Sequence, residues 1–273
     1  MVANNHAMNH ELEALEFETL ELKIVDKVAV IYLDRPPVNT LNYTSFEELY
    51  RILVNIENDS SIKVLIVTGK GERAFAAGAD ISEMANLDAE EIKKMNQTSR
   101  KAFDKLENLW IPVIAGINGL ALGGGLELTL CCDFRICSDN AKIALPEINL
   151  ATIPGGGGTQ RLPRLIGPSR AKELLYFGDI INAEEAFSIG LVNKVAEWKE
   201  LLDTCMDWAN KLANKPGVAM RMMKTAMSIG VNSDLSSALT HEAACFEQTF
   251  VTADREEGMR AFVEKRKPVY KDK

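Results

Sequence analysis

Two short runs rich in β-branched and aliphatic residues, positions 20–25 and 28–33, flank the pair Asp26-Lys27, and this spacing predicts a β-hairpin. Arg35-Pro36-Pro37 ends it. The period then changes. Phe46, Leu49, Ile52, Leu53 and Ile56 recur at helical spacing within 45–57, with Thr44 or Ser45 as the cap. Residues 64–68 form an apolar run between Lys63 and Gly69, the pattern of a strand buried on both faces. A helix at 89–109, a buried strand at 112–117, a helix at 125–132 and short strands at 134–137 and 142–145 follow. Such alternation predicts an α/β core with parallel pairing.

From Ser169 onward the pattern is helical, at 169–177, 183–189, 198–214, 217–229, 234–250 and 254–264. Ser169, after Gly167-Pro168, is a candidate cap for the first of these, and Asn182 marks the turn into the second. The chain divides on this reading into an α/β core, 1–195, and a helical region, 196–273. Apolar residues such as Met206, Trp208, Leu212, Met220, Met222 and Met223 suit that region either to its own core or to a neighbouring subunit.

Composition narrows the function classes. The chain of 273 residues is long enough to bury a large core without disulfide or metal staples. Its 31 basic and 39 acidic side chains leave a net charge of −8, which argues against a nucleic-acid-coating surface. The five cysteines show no paired zinc or disulfide spacing and read as reduced thiols of a cytoplasmic protein. Residues 1–18 are polar and acid-rich, without the apolar or Arg-rich pattern of a leader, and no apolar run has the ~20 residues of a membrane span.

Three clusters of small residues carry the candidate chemistry. In Ala74-Phe75-Ala76-Ala77-Gly78-Ala79-Asp80, small side chains suit a tight packed turn, or a backbone that a ligand approaches closely. In Asn118–Glu127 a strand runs into Gly123-Gly124-Gly125 and then a helix. Bare N–H groups at a helix start suit a phosphate or a developing oxyanion, but the spacing is neither a dinucleotide nor a P-loop fingerprint. Glu127 either complements the helix dipole or, among Leu126, Leu128 and Leu130, acts as a carboxyl of raised pKa. In the third cluster, Glu147 precedes Gly155-Gly156-Gly157-Gly158 and a further helix, near whose start Arg161 and Arg164 are surface charges or anion partners. Glu147 is either a solvated loop acid or the partner of Glu127 in acid–base chemistry.

Together these segments resemble the crotonase (enoyl-CoA hydratase/isomerase) family. The resemblance runs from Leu33-Asp34-Arg35-Pro36 through Ala74–Asp80, Pro112–Asp133 and Pro146–Leu162 to Gly190-Leu191-Val192, and ends at Phe262–Pro268. It implies a spiral core of repeated ββα units, with C-terminal helices that cover the active site and assemble trimers or dimers of trimers. It implies an oxyanion hole from the backbone N–H groups of Ala79 and Gly124, with Ala77, Gly78, Asp80, Ile81 and Gly123 around the substrate. Glu127 and Glu147 match the paired glutamates of the hydratase branch, whereas isomerases keep an acid at the second position alone. The implied activity is reversible syn addition of water to a trans-2-enoyl-CoA in fatty-acid or related acyl-CoA metabolism. A Δ-isomerase and a branched-chain, methylglutaconyl-type hydratase are the alternatives. Coenzyme A enters as part of the substrate and no further cofactor is expected. Its phosphates need local cations on this acidic chain, and Arg35, Lys265 and Lys267 are the candidates. The expected partners are the acyl-CoA thioester and further copies of the chain, with no nucleic acid and no membrane.

Overall fold

The computed structural model describes residues 16–273, so most of the acid-rich N-terminal stretch read above lies outside the described residues. Strands β1 (Leu20–Val25) and β2 (Val28–Leu33) pair antiparallel, as the patterning predicts. Asp26 in the turn takes a φ of 55°, which a two-residue hairpin loop requires. Helix α1 (Tyr43–Asn58) follows. Its cap is Asn42 rather than Thr44 or Ser45: the Asn42 side chain accepts the Ser45 N–H at 3.0 Å, and the Ser45 hydroxyl accepts the Asn42 N–H. That reciprocal pair starts the helix two residues earlier than the apolar period suggests.

The chain then lays one strand in each of two sheets before each crossover. Strands β3 (Val64–Gly69), β5 (Val113–Ile117), β7 (Phe134–Ser138) and β10 (Lys194–Ala196) extend β2 in parallel, giving the order β1-β2-β3-β5-β7-β10. Strands β4 (Ala74–Ala76), β6 (Leu120–Leu122) and β8 (Lys142–Ala144) form a second, parallel sheet, to which β9 (Ile181–Asn182) adds an antiparallel edge. The crossovers carry α2 (Ile81–Met84) and α3 (Ala89–Glu107), then α4 (Gly124–Leu130). The repeat is ββα and the whole is the expected spiral. The segment at Ala74–Ala76 is thus a strand, not the packed turn its small residues suggested. Those small side chains serve helix packing: a Cβ on Gly125 of α4 would overlap the Ala76 carbonyl oxygen.

Alternation along the large sheet sends its side chains into two cores. Ala29, Ile31, Leu65 and Val67 face Phe46, Leu49, Ile52 and Leu53 of α1 and Phe103 and Leu106 of α3. Val28, Val30, Val64, Ile66, Ile114 and Ile136 face Leu201, Cys205, Ala209 and Ala213 of α8 (Leu201–Ala213). Before α8 come α5 (Gly158–Ile166), α6 (Pro168–Phe177) and α7 (Ala183–Ser188). Helix α6 begins on Pro168 with no side-chain cap from Ser169, whereas α7 starts after Asn182 as expected, with the Asn182 side chain as its cap.

The last three helices are α9 (Gly217–Gly230), α10 (Leu235–Phe250) and α11 (Ala253–Val263). Lys224 of α9 ties them to the core, its Nζ donating to Asp133 at 2.7 Å and to the Ile111 carbonyl at 3.1 Å. Helix α9 has no fully buried residue, and Met227, Leu235, Phe246 and Phe262 of this region stand exposed.

Gly125→Ala should lower stability by about 1–3 kcal/mol, because the added methyl meets backbone rather than a side chain that can turn away. Gly71→Ala has open space and only a positive φ to tolerate, so its effect should be smaller. Urea midpoints test the order; a Gly125→Ala midpoint equal to that of the wild type refutes the close packing of α4 on β4.

Candidate active site

Three segments leave the ends of three adjacent parallel strands and meet. The first is Ala77–Asp80, after β4. Leu41 runs beside it, donating its N–H to the Gly78 carbonyl at 2.8 Å and accepting the Asp80 N–H at 2.9 Å. That pairing skips Ala79, whose N–H has no acceptor among the described residues. Gly78 holds a φ of 85°, which aims the turn.

The second segment is Gly123-Gly124, after β6. Gly123 donates its N–H to the Ala144 carbonyl at 2.9 Å. Gly124 is the first residue of α4, so its N–H has no intrahelical partner and no other acceptor among the described residues. A Cβ built on Gly124 would lie 3.7 Å from the Ala79 nitrogen. The two unaccepted N–H groups are therefore neighbours.

Glu127 lies in the first turn of α4 and is only 3% exposed. Its Oε1 accepts the Gly158 N–H at 2.7 Å. A methyl on Gly156 would come within 2.8 Å of its Oε2, so the glycine run encloses the carboxyl by having no side chains. Burial raises the Glu127 pKa; the N–H groups of Gly158, Gly156 and Gly157 and the Arg161 charge pull it back.

Glu147 comes from the third segment, a 3-10 turn at Pro146–Leu150 after β8. Its Oε1 sits 2.9 Å from where a Cβ of residue 123 would be, and its buried Oε2 has no partner. Burial first, and the neighbouring Glu127 charge after it, push the Glu147 carboxyl up to about 7. The two glutamates thus differ in kind: one is dry but well supplied with donors, the other is undersupplied.

Both glutamates line a cavity of about 490 Å³ together with Ala77, Gly78, Ala79, Ile81, Gly123 and Gly124. Its far wall comes from α3, through Ile92, Met95, Asn96, Ser99 and Phe103. Sequence reasoning did not assign that wall. The spacing 92, 95, 99, 103 gave a helix face, but periodicity cannot say whether a face meets another helix or a void. Among the described residues, no Lys, Arg or His lines it.

Arg35, Asp80, Lys265 and Lys267 do not line the cavity. Arg35 donates to Asp80 at 2.7 Å, to Glu83 at 3.0 Å and to the Thr40 hydroxyl, so its charge is already matched inside the chain. Asp80 caps α2; its bond from Ser82 and then the Arg35 guanidinium lower its pKa to about 2. The pair braces the Ala77–Ile81 loop. Lys265 and Lys267 follow α11 and are exposed.

Residues 23–273 match the family described as enoyl-CoA hydratase/isomerase. The chain is 46% identical over 254 residues to a crotonyl-CoA hydratase of Syntrophomonas wolfei, covering 93% of this chain and 98% of that protein. It is 44% identical over 254 residues to a short-chain-enoyl-CoA hydratase of Clostridium acetobutylicum, covering 93% and 97%. An enoyl-CoA hydratase structure from Bacillus anthracis superposes with a TM-score of 0.91 at 43% identity, covering 94% of this chain and all of that one.

The Glu147 carboxyl should titrate near pH 7, and Glu127→Gln should move its midpoint down, because a neutral neighbour no longer opposes ionisation. Infrared titration of the protonated carboxyl band measures both. A midpoint indifferent to the substitution means that the carboxyls do not sense each other.

Proposed function

The chain belongs to the enoyl-CoA hydratase/isomerase family, and on that premise we propose that it adds water, syn and reversibly, to a trans-2-enoyl-CoA to give the 3-hydroxyacyl-CoA. Attack of water at C3 drives electron density onto the thioester oxygen. The Ala79 and Gly124 N–H groups, neighbours without acceptors, suit that oxygen, at about 3 kcal/mol of barrier for each donor. Glu127, whose carboxylate form is favoured by backbone donors against the cost of burial, takes the proton from water. Glu147, near half-protonation at neutral pH, delivers a proton to C2. Reversal exchanges the roles, and the coupled carboxyls titrate as a pair.

The observation that carries the reading is two carboxyls on one cavity, one fed by a backbone donor and one with an unpartnered oxygen, beside two N–H groups without acceptors among the described residues. An isomerase needs one proton-shuttling acid and gives Glu127 nothing to do. With no cation among the described lining residues, an uncharged acyl group is favoured over a methylglutaconyl type, whose extra carboxylate would face two glutamates unpaired.

The exposed apolar faces of α9–α11 support assembly of chains into a trimer or a dimer of trimers. With Arg35 committed to Asp80 and Glu83, Lys265 and Lys267 are the better partners for the coenzyme A phosphates, reaching over from a neighbouring copy. The reading is of a cytoplasmic enzyme of acyl-CoA metabolism such as fatty-acid β-oxidation; no described helix is long and apolar enough to cross a membrane.

Glu127→Gln should slow crotonyl-CoA hydration by ~10²–10⁴, with thioester binding little changed because the oxygen's donors are backbone groups. Glu147→Gln should do the same and also suppress exchange of the C2 proton. Wild-type hydration by Glu127→Gln would transfer the reading to an isomerase. Light scattering at micromolar protein should give a multiple of the 30.1 kDa chain mass; the mass of one chain refutes the assembly.

A further inference from the structure

Glu127 owes its position to a segment with little rigidity of its own. Gly155-Gly156-Gly157-Gly158 has the largest conformational freedom of any four-residue stretch of the chain, and no side chain caps α5, which it leads into. Yet Gly158 must present its N–H to Glu127 at 2.7 Å, and Gly156 must lie against the other oxygen. Loose glycines do not hold such distances unaided.

Arg161, one turn into α5, supplies the restraint. Its Nη1 donates to the Gly156 carbonyl at 2.9 Å. Its Nε and Nη2 donate to the Glu107 carboxylate at 3.1 and 2.6 Å, and Nη2 also reaches Asp104 at 3.1 Å. The guanidinium lies over Gly157, filling the space where any side chain there would begin; that glycine also has a φ of 107°. Arg161 is largely buried, with its side chain 17% exposed. Arg164, its neighbour on the same helix, is different: among the described residues it bonds only to Gln160, and it stays near solvent.

Glu107 and Asp104 stand on α3, the helix whose other face, through Met95, Ser99 and Phe103, walls the cavity. We propose that Arg161 is a positioning residue for hydration, clamping the glycine run that feeds Glu127 to the helix that walls the acyl cavity. The two halves of the site, the base and the acyl wall, are thereby held in one frame. This rests on the hydratase reading for its kinetic consequence, but not for the clamp itself. The charged or titratable groups around this frame are Glu147, Cys131 and Arg161 near Glu127, and Glu107, Asp104 and Cys131 near Arg161.

Lysine keeps a positive charge near Glu107 but cannot span three acceptors with a planar fork. Arg161→Lys should therefore lower kcat for crotonyl-CoA about 10- to 100-fold, the effect of a small misplacement of a catalytic group, while KM stays near that of the wild type. Arg161→Met should in addition move the acidic limb of the kcat/KM profile to higher pH, because Glu127 loses both a cation and ordered donors that favour its charged form. Glu107→Gln, which keeps Arg161 but weakens its anchor, should act in the same direction with smaller effect. Hydrogen exchange over residues 154–162 should speed up in all three variants. That readout needs no activity, so it separates the two readings. A wild type that does not hydrate enoyl-CoA, with exchange still faster in the variants, refutes the function and leaves the clamp. Unchanged exchange with unchanged kcat and pH profile in Arg161→Lys and Glu107→Gln overturns the clamp, and so does a loss of activity that only tracks a loss of thermal stability.

Discussion

A carboxylate removed from water must be given hydrogen bonds by something else, and Glu127, 3% exposed, imposes that demand on everything around it. The chain meets it with backbone, not side chains. Gly158 donates directly, and the glycines at 156 and 158 leave room for the carboxyl to come that close. Backbone donors do not titrate, so Glu127 keeps its hydrogen bonds as the pH changes. Glu147 has been left with an unsatisfied oxygen, and burial pushes its carboxyl up to about 7.

The spiral makes this arrangement possible. Strands β4, β6 and β8 are neighbours in the small sheet and parallel, so the segments that leave them emerge side by side. Ala77–Asp80, Gly123-Gly124 and Pro146–Leu150 are far apart in sequence and adjacent in space for that reason alone. Ligands gather at the ends of parallel strands in other open α/β sheets for the same cause. What differs here is that the ends belong to a subsidiary sheet, while the larger one supplies rigidity from behind.

Much of this was legible in the chain. The hairpin at Asp26, the buried run at 64–68 and the helix period of Phe46–Ile56 follow from pattern, and the structure bears them out. The glycine clusters marked where backbone is bared, and the apolar neighbours of Glu127 gave the direction of its pKa shift. Three things were not legible. The strand Ala74–Ala76 is three residues long and made mostly of small residues, a composition that suits a packed turn as well as a strand. Asn42 outranked the hydroxyl residues after it as a cap because reciprocity with Ser45 is a geometric matter. The carboxylate partners of Arg35 and Arg161 lie 45 or more residues away, so nothing local told a free cation from a matched one.

Helix α8 completes the large sheet from the far end of the chain. Val28, Val30, Val64, Ile66, Ile114 and Ile136 are covered by residues numbered above 200, so this sheet face is paired with the last third of the polypeptide. A nascent chain can therefore complete the first core while still on the ribosome, but it carries a wide aliphatic face bare until Leu201–Ala213 has emerged. During that interval the chain is a natural client for chaperones and a hazard to its neighbours. A premature stop anywhere before residue 201 leaves that hazard permanent, however intact the site segments upstream.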